Sequence, residues 1–157
     1  MVGLLDAINS GNVNVRELDD PSRLRRHVDE LMMVRREHFD GFSMCAATAP
    51  AERIVGAAMM LDPTVRADGV GDTVIVGVNI ASGTQIARTA TRLREAGNDG
   101  VLIGIVLNAL IPEWRRCTGE WSIPEVDALF VLDGPGSLSG FGELTQRCKR
   151  GVDLALR

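Results

Sequence analysis

The sequence has few of the side chains on which most covalent and metal chemistry depends. It holds three cysteines and two histidines in 157 residues. Cys45, Cys117 and Cys148 are odd in number and show no C-x-x-C spacing, which argues against a disulfide framework and against a zinc knuckle. His27 and His38 face no carboxylate or cysteine pair along the chain, so neither a metal site nor a triad of the Ser/His/Asp kind is predicted.

Dense runs of one charge and long hydrophobic runs are also missing. The 17 Lys and Arg residues are spread along the chain against 21 Asp and Glu, giving a net charge of −4, so we expect no nucleic-acid partner. The first apolar run has no basic flank and is cut by Asp6 and Asn9, which predicts neither a secretory signal nor a membrane anchor. The expected location is cytoplasmic, with no membrane partner.

What is present is an alternation of helical and strand patterns in one domain-sized chain. Hydrophobic residues make up 45% of it, enough for a packed core. The patterns predict an irregular arm over 1–20, helices over 21–38, 50–61, 85–97 and 144–155, and strands over 39–46, 74–80, 101–107 and 127–132. We therefore predict a single α/β domain over residues 1–157, with a parallel sheet of four or five strands and helices on both faces.

Three of these segments carry more specific expectations. The 74–80 run is continuous and β-branched, which is typical of a strand covered on both faces, and the unit it forms with 85–107 predicts a right-handed crossover. The 50–61 helix is apolar nearly all round, which predicts burial on more than one side. The glycine-rich stretch 133–142 is expected to form a loop.

The turn after the 74–80 strand is the most informative candidate site. Ligands of parallel sheets bind beyond the carboxyl ends of the strands. Here the small residues Ala81, Ser82, Gly83 and Thr84, with Gln85, open a helix whose backbone N–H groups and positive dipole end suit a phosphate. The alternative is that Ser82 and Gln85 form an ordinary capping box that binds nothing.

The stretch Val76-Gly77-Val78-Asn79-Ile80-Ala81-Ser82-Gly83-Thr84-Gln85, with the helix that follows it to Gly97, resembles the phosphoribosyl-diphosphate motif of type I phosphoribosyltransferases, most of all the uracil branch. The similarity implies a phosphoribosyltransferase-like core. Two departures accompany it. Gly77 and Val78 stand where the family has the acidic pair that holds the ribose hydroxyls, and the interval 62–73 is shorter than the strand pair and mobile hood that the family inserts there.

The resemblance also implies the ligand and further site residues. It implies binding of a pentose 5-phosphate or a nucleotide through residues 81–85. Asn79 falls on the ribose side, and Asp133 and Gly134 fall on the base side. Ala47, Thr48 and Arg53 fall on the pyrophosphate side, although Arg53 can equally be a solvated helix residue. An active enzyme of this kind would be a glycosyltransferase that uses Mg²⁺; no metal ligand is assigned.

A second hypothesis belongs to another class of protein. A non-catalytic interaction or regulatory subunit could keep the fold and lose the substrate site, using the Met-rich helix 54–61 and the tryptophan-bearing stretch 108–126 as partner surface. A flavodoxin-like cofactor binder is a third hypothesis. We expect assembly with further copies of the chain or with a partner protein. Catalytic activity, the oligomeric state and the identity of a partner protein are left open by the sequence.

Overall fold

A computed structural model describes residues 15–80, 83–109, 123–134 and 137–141. After a 3-10 helix at Val15–Asp19, it contains three α-helices, α1 Pro21–His38, α2 Ala49–Leu61 and α3 Thr84–Glu95. Its five strands are β1 Ser43–Ala46, β2 Thr73–Ile80, β3 Leu102–Ala109, β4 Ala128–Gly134 and β5 Ser137–Phe141. The first fourteen residues and the predicted helix 144–155 lie outside this description. None of the described helices has the length and apolarity to cross a bilayer.

All five strands form one sheet in the order β1-β2-β3-β4-β5. The first four are parallel, and β2 sits in register between its neighbours, with Val76 opposite Ala46 on one side and Ile105 on the other. The side chains of β2 from Thr73 to Val78 are all buried, because helices cover both faces of the sheet. The predicted α/β fold, and the prediction that this strand is covered on both sides, are confirmed.

Each face of the sheet has its own hydrophobic core. On one face, α1 and α2 pack against alternate residues of β2, β3 and β4, among them Val76, Ile105 and Phe130. On the other face, α3 packs through Ile86 and Ala90 against the intervening residues of the same strands. The predicted apolar stripe of α3 is therefore the side that meets the sheet.

The two βαβ units have opposite hands. The β1–α2–β2 and β2–α3–β3 connections both step in the same direction across the sheet. Their helices nevertheless lie on opposite faces, since α2 belongs to one core and α3 to the other. One of the two crossovers is therefore left-handed, an arrangement that parallel βαβ units rarely adopt, and the right-handed crossover expected at α3 stays a prediction. As a result, α2 and α3 cover opposite faces of the sheet next to neighbouring strands.

The start of α1 is fixed by its local sequence, as predicted. Asp20 is the N-cap and accepts a hydrogen bond from the Ser22 N–H at 2.9 Å, while Pro21 occupies the first helical position. The hydrogen bonds from Ser22 hold the pKa of the Asp20 carboxyl below its ordinary value. This cap contributes stability that is present above the unfolded pKa and is lost as the pH falls through the folded pKa.

The structure corrects two sequence predictions. Helix α2 is buried on one side only, through Ala51, Ile54, Val55 and Ala58, because it lies over the edge of the sheet rather than inside a third layer. The expected loop 133–142 is largely strand: residues 137–141 pair antiparallel with β4. Backbone hydrogen bonding to the open edge of β4 outweighs the low strand propensity of the glycines.

The short interval between α2 and β2 covers the free edge of β1. The Met44 N–H donates to the Arg66 carbonyl at 2.8 Å, and the Gly69 N–H donates to Ser43 Oγ at 3.0 Å. The Asn98 amide nitrogen then donates to the carbonyls of Gly69 and Gly71 at 2.6 and 2.8 Å. The interval 62–72 contains no strand and is tied to the sheet at the end opposite the predicted site.

Two glycines differ in whether the fold has room for a side chain at their position. A Cβ at Gly100 would lie 2.5 Å from the backbone carbon of Gly71, whereas a Cβ at Gly56, inside α2, would meet nothing within 4 Å. We expect Gly100→Ala to lower the free energy of unfolding by about 1–3 kcal/mol through overpacking. We expect Gly56→Ala to raise it by about 0.5–1 kcal/mol through helix propensity. Urea titration measures both, and a Gly100→Ala variant as stable as wild type would contradict the backbone contact.

Candidate functional site

Helix α3 begins directly beyond the carboxyl end of β2, where the sequence places the phosphate-binding turn. Gly83 is the N-cap, with φ 81° and ψ 3°, in the left-handed region that favours glycine. The first intrahelical bond runs from the Ala87 N–H to the Gly83 carbonyl at 3.0 Å. The N–H groups of the first turn, those of Gln85 and Ile86 among them, precede that bond and point out of the helix end.

The capping-box alternative of Ser82 with Gln85 falls on a part of the chain that the structure does not describe, since Ala81 and Ser82 lie outside the described residues. It therefore stays open beside the phosphate-binding prediction. Among the described residues, the N-cap of α3 is Gly83, which has no side chain, so none of their side chains caps the positive end of the helix dipole.

Helix α3 packs on the sheet through Ile86, which lies over two glycines. A Cβ at Gly77 on β2 would lie 3.6 Å from Ile86 Cδ1 and 3.1 Å from Val106 Cγ1. A Cβ at Gly104 on β3 would lie 3.4 Å from Ile86 Cγ2 and 2.8 Å from Leu129 Cδ1. The glycines therefore relieve crowding with Val106 and Leu129 on the sheet, while Ile86 would be in ordinary van der Waals contact with either Cβ. The burial of Ile86 contributes about 1.5–3 kcal/mol.

The same packing explains what stands at the family's acidic positions. Gly77 lies under Ile86, and Val78 is buried in the core on the α1 and α2 face, so neither position opens on a polar site. The described residues contain no cluster of three His, Cys, Asp or Glu side chains that could hold a metal ion. Mg²⁺ is often held by one or two carboxylates together with phosphates of the ligand, so the Mg²⁺ that the resemblance implies stays a prediction.

A cavity of about 900 Å³ lies along α3 and includes its N-terminus in the lining. We call it the α3 cavity. Its described lining includes Gly83, Thr84 and Gln85 at the helix start, and Ala47 at the end of β1. The structure therefore brings together the predicted phosphate-binding turn and one of the residues predicted for the pyrophosphate side.

Two arginines give the cavity wall a positive charge. Arg88 and Arg92 lie one turn apart on α3, and both line the cavity with exposed side chains. The Arg92 guanidinium donates a hydrogen bond to Thr89 Oγ1 at 3.4 Å. In the part of the chain that the structure describes, neither arginine pairs with a carboxylate, and Glu125 is the one acidic residue in the lining.

The remaining predicted residues are placed apart from this wall. Thr48 caps α2 by accepting a hydrogen bond from the Ala51 N–H at 3.4 Å, and it does not line the described cavity. Arg53 pairs with Asp19 on the 3-10 helix. Asn79 is half-buried near the end of β2, on the same face as Gly77.

The two residues predicted for the base side belong to a strand. Asp133 and Gly134 are the last residues of β4, and the backbone of Gly134 pairs with Ser137 of β5. They are therefore part of the hairpin that completes the sheet, two strands away from β2.

Sequence reasoning missed the cationic part of the site. Arg88, Arg92 and Glu125 were not among the predicted residues, although the spacing of four between the arginines places them on one side of a helix. The signal that could have found them is the pair of like charges at this spacing with no acidic residue four positions away from either on α3. Their meeting with Ala47 and Glu125 depends on the tertiary fold.

Comparison with known proteins identifies no relative. No protein-family model matches the chain, and no curated protein matches it. The phosphoribosyltransferase resemblance therefore rests on the residues of the sequence alone and stays a prediction.

The pKa of the Cys45 thiol depends on the positive charge of the α3 cavity. Burial raises the pKa of its thiol, and the nearby positive charge of Arg92 opposes that rise. We expect alkylation of Cys45 by iodoacetamide to show a pH midpoint above that of an ordinary thiol, and Arg92→Gln to move the midpoint further upward. Site-resolved mass spectrometry separates Cys45 from the other two cysteines. A midpoint unchanged by Arg92→Gln would place the arginine away from the thiol.

Proposed function

We propose that this protein binds a phosphorylated small molecule, a pentose 5-phosphate or a nucleotide, with its phosphate at the N-terminus of α3. The observation that carries the proposal is the glycine cap. Gly83 caps the N-terminus of α3 and has no side chain. The first-turn residues Thr84 and Gln85 line a cavity large enough for a nucleotide. The family resemblance of residues 76–85 supports the same ligand class.

The physical basis is anion binding by backbone donors. A negative charge at a helix N-terminus gains about 0.3–1 kcal/mol from the dipole, and up to about 2 kcal/mol where the site is partly buried. Gly83 is buried, and a bare backbone lets a phosphate oxygen approach the N–H groups closely. Hydrogen bonds to a charged phosphate are about twice as strong as those between neutral groups.

Binding is proposed without glycosyl transfer. Transfer requires groups that stabilise charge at the sugar as pyrophosphate leaves, and the positions of the acidic pair are filled here by Gly77 and Val78 in apolar packing. The described lining offers cationic and hydroxyl groups and one carboxylate. These groups suit recognition of a phosphorylated ligand. A cytoplasmic location belongs to this proposal.

The direct test is calorimetry with ribose 5-phosphate, nucleoside monophosphates and phosphoribosyl diphosphate at concentrations up to millimolar. We expect saturable binding of at least one of them and none of unphosphorylated ribose. Absence of heat from every phosphorylated ligand would remove the proposal.

Gly83→Val tests the glycine cap itself. A β-branched residue at φ 81° is strained and places two methyl groups where the anion would approach, so we expect binding to be abolished at a stability cost of about 1–3 kcal/mol. Gly97→Val is the matched control, because Gly97 has φ 95° but lies beyond the other end of α3. The control variant should be similarly strained and should still bind. Equal affinities of wild type and Gly83→Val would refute the backbone cradle.

The interaction-subunit hypothesis is favoured by one feature, the end of α2. Met59, Met60 and Leu61 are exposed there, Met60 by 85%, although all three are large apolar residues. This hypothesis predicts a mass above that of the 16.9 kDa monomer in light scattering, and a return to the monomer in Met60→Lys. A monomeric wild type would count against self-association through α2.

A further inference from the structure

Arg88 and Arg92, the two arginines that line the α3 cavity, carry like charges that repel each other. Like charges four residues apart on a helix destabilise it by about 0.2–0.5 kcal/mol. The other arginine near the end of α3 is compensated: Arg94 donates to the Asp127 carboxylate at 3.2 Å and to the Gly100 carbonyl at 2.6 Å. Among the described residues, neither Arg88 nor Arg92 forms an ion pair, although Glu95 stands three residues after Arg92 on α3.

Both arginines are placed to serve the same ligand as the helix end. Arg88 and Arg92 line the cavity together with Gly83 and with Ala47, the residue that follows β1. The Arg92 guanidinium donates to Thr89 Oγ1 at 3.4 Å, so it lies against the turn that precedes it, on the side of the helix start.

The one carboxylate in the described lining lies on a different element. Glu125 belongs to the turn that precedes β4, and its side chain is exposed. It sits in no ion pair with either arginine within the described structure. An anion in the cavity is repelled by Glu125 and attracted by α3, which directs it onto the arginine wall.

We propose that Arg88 and Arg92 form a second anion-binding position, and that the ligand carries two anionic groups. Its phosphate would sit at the N-terminus of α3, and a second phosphate or a carboxylate would lie at the arginines, at least one helical turn away, or about 5 Å. This inference rests on the proposed phosphate site and specifies the ligand class of that site. Arginine suits both kinds of second group, because its planar fork binds either one bidentately.

The test compares ligands that differ only in their second anionic group. The probes are propyl phosphate, propane-1,3-diyl bisphosphate, hexane-1,6-diyl bisphosphate and a phosphate of matched length that ends in a carboxylate. Calorimetry at fixed ionic strength gives the Kd of each for wild type, for Arg88→Gln/Arg92→Gln and for Arg26→Gln/Arg36→Gln. The last variant removes two exposed arginines of α1 and so matches the change in net charge.

We expect wild type to bind at least one bisphosphate about tenfold more tightly than propyl phosphate, beyond the factor of two for having two phosphates. Arg88→Gln/Arg92→Gln should lose this preference and keep its affinity for propyl phosphate within about twofold. The α1 control should keep both. The carboxylate probe shows which second group is preferred.

Other outcomes overturn the inference in distinguishable ways. A wild type that binds propyl phosphate without preferring any second anionic group refutes the second position and leaves the proposed function standing. A preference that survives in Arg88→Gln/Arg92→Gln, or that is lost equally in the α1 control, refutes the role of these arginines. Failure of every probe to bind, with thermal unfolding showing folded protein, removes the phosphate site and the second position together.

Discussion

The contact of Ile86 with Gly77 and Gly104 is the constraint on which the candidate site depends. The two glycines leave the sheet bare on one face, and Ile86 fills that space from the first turn of α3. This fixes where the helix begins relative to β2. A side chain at position 77 would start 3.1 Å from Val106 Cγ1 and in van der Waals contact with Ile86. The packing that fixes the start of α3 therefore surrounds position 77 with apolar side chains.

The parallel direction of β1 and β2 brings a second helix end to the same edge of the sheet. Helices α2 and α3 begin beyond the carboxyl ends of the neighbouring strands β1 and β2, one on each face. Ala47, just before α2, and Gly83, at the cap of α3, consequently meet at one cavity. The α2 end is capped by the Thr48 hydroxyl, whereas the α3 end is capped by glycine. Among the described residues, a side chain therefore caps the α2 end and none caps the α3 end.

Most of the fold could be predicted from the sequence because the spacing of apolar residues along each segment reflects which of its sides are buried. The β-branched run of β2 and the cap at Asp20 and Pro21 are local signals, and both correspond to observed elements. Strand β5 could not be predicted in this way, because its partner is the edge of β4 rather than anything in residues 137–141. The exposure of Met60 could not be predicted either, because the apolar composition of a helix does not determine how many of its sides are covered by other elements. At the site, the turn 81–85 was recognisable as opening a helix, but the grouping of Arg88 and Arg92 with Ala47 depends on the tertiary arrangement.

The central claim is that a phosphate settles on the backbone donors at the start of α3. Amide chemical shifts of ¹⁵N-labelled protein, followed while inorganic phosphate is added at constant ionic strength, address it residue by residue. The account predicts saturable shifts largest at Gly83, Thr84, Gln85 and Ile86, with sulfate competing for the same amides. Saturable shifts centred elsewhere, or amides of this turn that do not respond at millimolar phosphate, would contradict it.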